Sequence, residues 1–146
     1  MSEPDSWDSE LEQLSHREAL AEEMGGEEKV SRQHGRGKLD VRQRIQKLVD
    51  AGSFHEIGKT AGSATYDEDG KLLTFSPANF IFGRATIDER PVVIAGDDFT
   101  VRGGAADASI AEKQIAAEAM AGELGLPIVR LLDGTGGGGS VKTLDP

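Results

Sequence analysis

No cysteine occurs in the 146 residues, which excludes disulfides, thiolate metal sites and cysteine nucleophiles. Large aromatic side chains are scarce: one tryptophan, one tyrosine and five phenylalanines. With hydrophobic content at 37%, a chain of this length forms one ordinary domain with a thin core, and a partner or further chain is expected to complete it. A surplus of basic residues is also missing. The net charge of −10 argues against general affinity for nucleic acid or an anionic membrane. No apolar run is long enough to span a bilayer, and the acidic start Met1-Ser2-Glu3-Pro4-Asp5 has neither the basic region nor the apolar core of a signal peptide. The expected location is cytoplasmic.

Glycine is plentiful at 19 residues, which assigns much of the chain to turns and close backbone approaches. Residues 7–24 carry Trp7, Leu11, Leu14, Ala21 and Met24 near helical spacing, with Gly25-Gly26 behind them, and predict an amphipathic acidic helix. From Lys29 to Lys47 the charge inverts: Lys29, Arg32, Arg36, Lys38, Arg42, Arg44 and Lys47 face the single acid Asp40. Asp40 and Gln43 form a capping box for a helix over 40–50, with Val41, Ile45, Leu48 and Val49 on one face and Gly52 as its expected C-terminal cap.

Between Thr60 and Leu73, the cluster Gly62, Asp67, Glu68, Asp69 and Gly70 reads as an exposed turn joining short extended pieces. Asn79 to Ile87 and Pro91 to Gly96 are apolar runs broken by Asp88-Glu89-Arg90, and predict a buried hairpin. Ser109 to Leu124 is an alanine-rich helix ended by Gly125, and Pro127 to Leu132 reads as a buried strand. Strand, helix, strand implies a parallel crossover. The last strand runs into Asp133-Gly134-Thr135-Gly136-Gly137-Gly138-Gly139-Ser140 and the sequence ends at Pro146, so the fold is expected to be incomplete.

A glycine tract at the carboxyl end of a strand offers bare backbone N–H groups to an anion or a developing oxyanion, whereas in isolation such a tract reads as a linker. Gly134, Gly136 and Gly139 also satisfy the spacing of a dinucleotide fingerprint. Any run of glycines does so, and that alternative stays open. A phosphate-binding P-loop is excluded because Ser140-Val141-Lys142 follows Gly139.

Gly37-Lys38-Leu39, Arg42 to Arg44-Ile45, Leu48, Asp50, Gly52-Ser53-Phe54, Glu56 and Gly58 are similar to the opening signature of acyl-CoA carboxylase carboxyltransferase subunits. Phe80, Pro91-Val92-Val93, Asp98-Phe99-Thr100-Val101, Gly103-Gly104, Ala111-Glu112-Lys113 and Leu126-Pro127-Ile128 continue the pattern in order. The chain resembles, over about residues 25 to 140, the N-terminal part of the carboxyltransferase (beta) subunit of biotin-dependent carboxylases of the propionyl-CoA, methylcrotonyl-CoA and acetyl-CoA type.

That resemblance implies an α/β, crotonase-like fold of stacked ββα units, preceded by N-terminal helices. Residues 1–36 would be a charged helical extension, and 37–146 the first part of the carboxyltransferase domain. The implied activity transfers carboxylate from carboxybiotin, held on a separate carrier, to the α-carbon of an acyl-CoA. Gly136, Gly137 and Gly138 would supply the oxyanion donors, and Gly103, Gly104 and Lys113 would bind CoA. Implied partners are acyl-CoA, the biotin carboxylase and biotin carrier components, and further copies of the subunit. The same family includes acyl-CoA decarboxylases, and a non-catalytic assembly or binding fragment is a further alternative.

The sequence departs from the pattern at Gly138-Gly139, where relatives usually carry Ala-Arg, and at Ile110, where they commonly carry His. No guanidinium contribution is carried over at Gly138-Gly139, and no role at Ile110.

The basic segment 29–47 could bind CoA phosphates or pair with the acidic first helix near Glu22, Glu23, Glu27 and Glu28, and the second reading is preferred. Lys113 as a lone helical lysine reads as a surface charge when the resemblance is set aside. His16, His34 and His55 lack metal-site spacing, and no metal is expected. Asp133 is expected to brace the glycine turn through its carboxylate.

Overall fold

The structure, a computed structural model, describes residues 6–105 and 110–134. Three helices come first: α1 (Asp8–Glu22), α2 (Glu27–Gly35) and α3 (Val41–Leu48). Then follow β1 (His55–Ile57), β2 (Gly62–Tyr66), β3 (Leu72–Pro77), β4 (Phe80–Ile87), β5 (Arg90–Asp97), α4 (Ala111–Leu124) and β6 (Ile128–Leu131). The main sheet has the order β1-β4-β5-β6, with the pairs β1–β4 and β4–β5 antiparallel and β5–β6 parallel. The strands β2 and β3 form a separate hairpin.

Burial on both faces of the sheet explains why apolar residues stand at odd and even positions alike in β4 and β5, with Arg84, Arg90 and Asp97 as the charged exceptions. Ile81, Ala85, Val92 and Ile94 face α3, where Val41 and Ile45 meet them. Phe80, Phe82, Val93 and Ala95 face the other way, onto Ala117 and Ala121 of α4. The sheet is therefore covered on both faces. At Gly96 a Cβ would lie 2.5 Å from Val41 Cγ2, so glycine lets α3 approach the end of β5. The helix α4 joins β5 to β6 as the expected parallel crossover and ends at Gly125 in the left-handed conformation. Its partner strand β6 is half-buried at the sheet edge.

The β4–β5 hairpin turns on Asp88 and Glu89, both with positive φ (48° and 64°). That is the turn geometry a two-residue hairpin needs, here built from residues that adopt it with strain. Asp50 holds it: Oδ1 accepts the Asp88 N–H at 3.0 Å and Oδ2 the Glu89 N–H at 2.9 Å. The bonds from Thr86 and this turn hold the Asp50 carboxyl below its ordinary range.

Two helix expectations need correction. The capping box on α3 is present, but the helix stops at Leu48 with Val49 as its cap. Asp50 is drawn out by its own N–H bond to Thr86 O and by the hairpin turn, so Gly52 lies in the following turn and caps nothing. For α1 the helix is real but its stripe is not buried: Trp7, Leu11 and Leu14 are 73%, 58% and 46% exposed, and only Ala21 is buried. Its packing partner is the narrow β2–β3 hairpin, through β3, which offers no layer to cover that side.

Candidate functional site

Three of the four cations of α2 and its exit, Lys29, Arg32 and Arg36, recur at helical spacing and share one face. Opposite them runs the loop after β5, residues 98–104. Between these walls lies a cleft of about 430 Å³ lined by Lys29, Arg32, Arg36, Lys38, Phe99 and Arg102, with Gln33, Thr100 and Gly103 completing it. Lys38 sits over the Phe99 ring at 5.1 Å and pairs with Asp133 Oδ1 at 3.2 Å. The loop has an unusual backbone: Arg102, Gly103 and Gly104 have φ of 51°, 63° and 69°. Left-handed backbone at Arg102 is sterically costly, and such strain concentrates where a loop is shaped for a ligand.

Gly104 approaches the end of β6 closely. A Cβ there would lie 2.7 Å from Asp133 O, so only glycine fits. Because β5 and β6 are parallel, the 98–104 loop and Asp133-Gly134 emerge at the same carboxyl end of the sheet, the usual ligand end of such sheets. Asp133 is held from three sides. Its N–H donates to Asp97 Oδ2 (3.4 Å), Lys38 donates to Oδ1, and the buried Gln33 amide donates to Oδ2 (3.4 Å) and to Leu39 O (3.0 Å).

Gly103 borders the cleft and Gly104 braces Asp133, as described. Gly136, Gly137 and Gly138 lie outside the described residues, and so does any bond from Asp133 to that tract. Lys113 overturns the surface-charge reading: it is 6% exposed, on the α4 face shared with Ala117 and Ala121. Its stem runs against Gly58, and burial takes its ammonium down to about 8, against the pull of Glu56 and helped by Arg42. It does not line the basic cleft.

The expected pairing of the basic segment with the acidic first helix is also corrected. Arg42 forms a two-bond pair with Glu56 (2.7 and 3.2 Å), Lys38 takes Asp133, and Glu22 is bonded by Lys59. Of the four acids named, Glu28 meets the segment, through Arg32 one turn along α2. His34 Nε2 lies 2.8 Å from Asp40 Oδ2, and among the described residues no group of His, Asp or Glu gathers as a metal site. No helix among them is long and apolar enough to cross a membrane.

Sequence reasoning missed α2, β1 and the burial of Gln33, and reached residues of the 98–104 loop through the family resemblance alone. The spacing of Lys29, Arg32 and Arg36 carried the first of these. Nothing local marked the rest.

The arrangement is that of an α/β protein of crotonase-like ββα type with a basic cleft beside a strand end that leads into glycines. The chain belongs to the carboxyl transferase domain family, which it matches over residues 32–144. It is 34% identical over 126 residues to the propionyl-CoA carboxylase beta chain of Roseobacter denitrificans, covering 86% of this chain and 25% of that protein. Against the methylmalonyl-CoA carboxyltransferase 12S subunit of Propionibacterium freudenreichii subsp. shermanii it is 35% identical over 129 residues, covering 86% and 24%. Among solved structures, transcarboxylase 12S with methylmalonyl-coenzyme A and methylmalonic acid bound superposes with a TM-score of 0.75 at 30% identity, over 91% of this chain and 26% of that one. The chain thus spans about a quarter of the length of these relatives.

Proposed function

We propose that this chain forms the acyl-CoA side of the carboxyltransferase component of a biotin-dependent acyl-CoA carboxylase. The observation that carries the reading is the juxtaposition at one sheet end: a cleft with five cations abuts the loop whose Gly104 packs on Asp133, three residues before the run of four glycines that starts at Gly136. The cations would take the phosphates of CoA by charge-assisted hydrogen bonds. The thioester would then extend toward the tract, where N–H groups of Gly136, Gly137 and Gly138 would hold the enolate oxygen.

Carboxybiotin, on its separate carrier, supplies the activated carboxylate. None of the described residues is assigned to it. In this reading residues 37–146 begin the carboxyltransferase domain, and 1–36 are a charged helical extension that contributes α2 to the cleft. The names of the relatives, propionyl-CoA and methylmalonyl-CoA enzymes, support an acyl-CoA as the substrate class. Partners are then the biotin carboxylase and biotin carrier components and further copies of the subunit. Of the remaining CoA-side residues, Gly103 borders the cleft directly, while Lys113 would act from beneath the sheet.

The test is Gly137→Val in the assembled enzyme. Removing one oxyanion donor lowers kcat by about 10²–10³ while CoA binding holds. Unchanged turnover in a folded variant refutes the oxyanion role.

A further inference from the structure

The two walls of the cleft are far apart in sequence, and near the start of α2 they are joined by one close contact. The Gly25 N–H donates to Thr100 Oγ1 at 2.9 Å, across 75 residues of chain. A Cβ on Gly25 would lie 2.0 Å from Thr100 O and 2.5 Å from its carbonyl carbon, so no other residue fits there. Gly25 lies in the turn between α1 and α2, flanked by Met24 and Gly26 at φ of 53° and 91°. Where this turn sits decides where the cations of α2 begin.

Thr100 is itself fixed from below. Both its N–H (2.9 Å) and its hydroxyl (2.6 Å) donate to Asp98 Oδ1, and Asp98 is 1% exposed. Asn79 closes the base of the loop: its carbonyl accepts the Asp98 N–H at 2.9 Å and its amide donates to Ala105 O at 2.7 Å. A hydroxyl that accepts from one wall while donating into the other is a job only Ser or Thr can do at this volume.

We propose that Thr100, seated on Gly25, is a positioning residue for the anion cleft. It fixes the separation between the cations of α2 and the Arg102-Gly103 edge, so the cleft is preformed for a polyphosphate and ligand binding is relieved of ordering it. The inference rests on the reading that the cleft takes the phosphates of CoA.

The experiment titrates CoA, adenosine 3′,5′-bisphosphate and phosphate-free pantetheine into the 146-residue chain by calorimetry. Its variants are Thr100→Val, Thr100→Ser and the double reversal Arg32→Glu/Arg36→Glu, each with a thermal melt. Thr100→Val removes both bonds of the hydroxyl, the one from Gly25 and the one to Asp98, and should weaken CoA and the bisphosphate alike by about tenfold as the two walls lose their fixed separation. Pantetheine should bind it as it binds the unsubstituted chain, and Thr100→Ser should restore most of the affinity.

If the double reversal weakens CoA and Thr100→Val does not, the positioning role is wrong and the cleft reading stands. If CoA binds the double reversal as tightly as the unsubstituted chain, or fails to bind the unsubstituted chain, the cleft reading falls and the positioning role with it. Parallel loss of CoA and pantetheine with a lowered melting temperature and no rescue by serine would also overturn the proposal, by making Thr100 a general fold residue.

Discussion

Lys113 is a charge placed where a hydrophobe would be cheaper, and the size of the penalty can be worked out. Its ammonium titrates near 8 in the fold against an ordinary value of 10.5, with burial as the largest cause. That gap corresponds to on the order of 3 kcal/mol of stability withheld at neutral pH. The sign follows from proton counting. Below about pH 8 the lysine is charged in both states and the whole penalty is present. Between about 8 and 10.5 the unfolded chain holds the proton and the folded chain does not, so stability rises with pH. Above that window both states are neutral and the penalty is gone.

Lys113→Met keeps the unbranched stem and deletes the charge. The variant should therefore be more stable at pH 7 by about 2–3 kcal/mol, or roughly 5–10 °C in melting temperature for a chain of this size. The advantage should shrink toward zero by pH 10.5. Paired urea or thermal melts at pH 7, 9 and 10.5 measure the difference while cancelling what other groups contribute. An advantage that stays constant with pH, or a Met variant less stable at pH 7, would refute the reasoning. The same protein serves a second purpose: if Lys113 belongs to the CoA side, Lys113→Met weakens CoA binding, and unchanged affinity removes it from the site.

Glu56→Gln leaves the half-buried Arg42 guanidinium without its carboxylate and should cost about 3 kcal/mol in urea unfolding, whereas replacing both partners with Met and Leu should cost much less. Equal losses would mean that the pair itself, and not the stranded charge, carries the stability. Asp50→Ala removes the carboxylate that accepts the two turn N–H groups and should destabilise the β4–β5 hairpin by about 1–2 kcal/mol. Glu89→Gly at φ 64° should stabilise it by about 0.5–1 kcal/mol because glycine adopts that backbone without strain; a destabilised glycine variant would overturn the strain argument.

What was legible in the sequence is what local rules write. The capping box of α3, the double-sided apolar runs of β4 and β5, and the alanine-rich α4 closed by Gly125 all follow from neighbours within a few residues. The helix α2 was invisible to apolar periodicity, though not to the spacing of its cations, because Val30 is its only apolar member and its hidden face is built on Gln33, a polar residue satisfied by the strand end 100 positions away. The burial of Lys113 was written at the spacing 113, 117, 121, but residue type outweighed position in the reading. The cleft could be read only in pieces, as a basic segment and a pair of glycines, since its walls meet through the contact of Gly25 with Thr100 and no local pattern pairs the two.

The charge of the chain is consistent with this cleft once distribution is separated from sum. A net −10 repels extended polyanions, whose many phosphates sample the whole surface. A small phosphate ester samples only a few ångströms, and at physiological salt charges beyond about 8 Å are largely screened from it. Within that radius what counts is the cleft lining, where Lys29, Arg32, Arg36, Lys38 and Arg102 stand together. Several of the nearby acids have partners: Glu28 in Arg32, Glu22 in Lys59, Asp40 in His34 and its own helix cap. A net acidic chain thus disfavours nucleic acid, while on the proposed reading the short basic cleft still attracts a compact, phosphate-bearing ligand such as CoA.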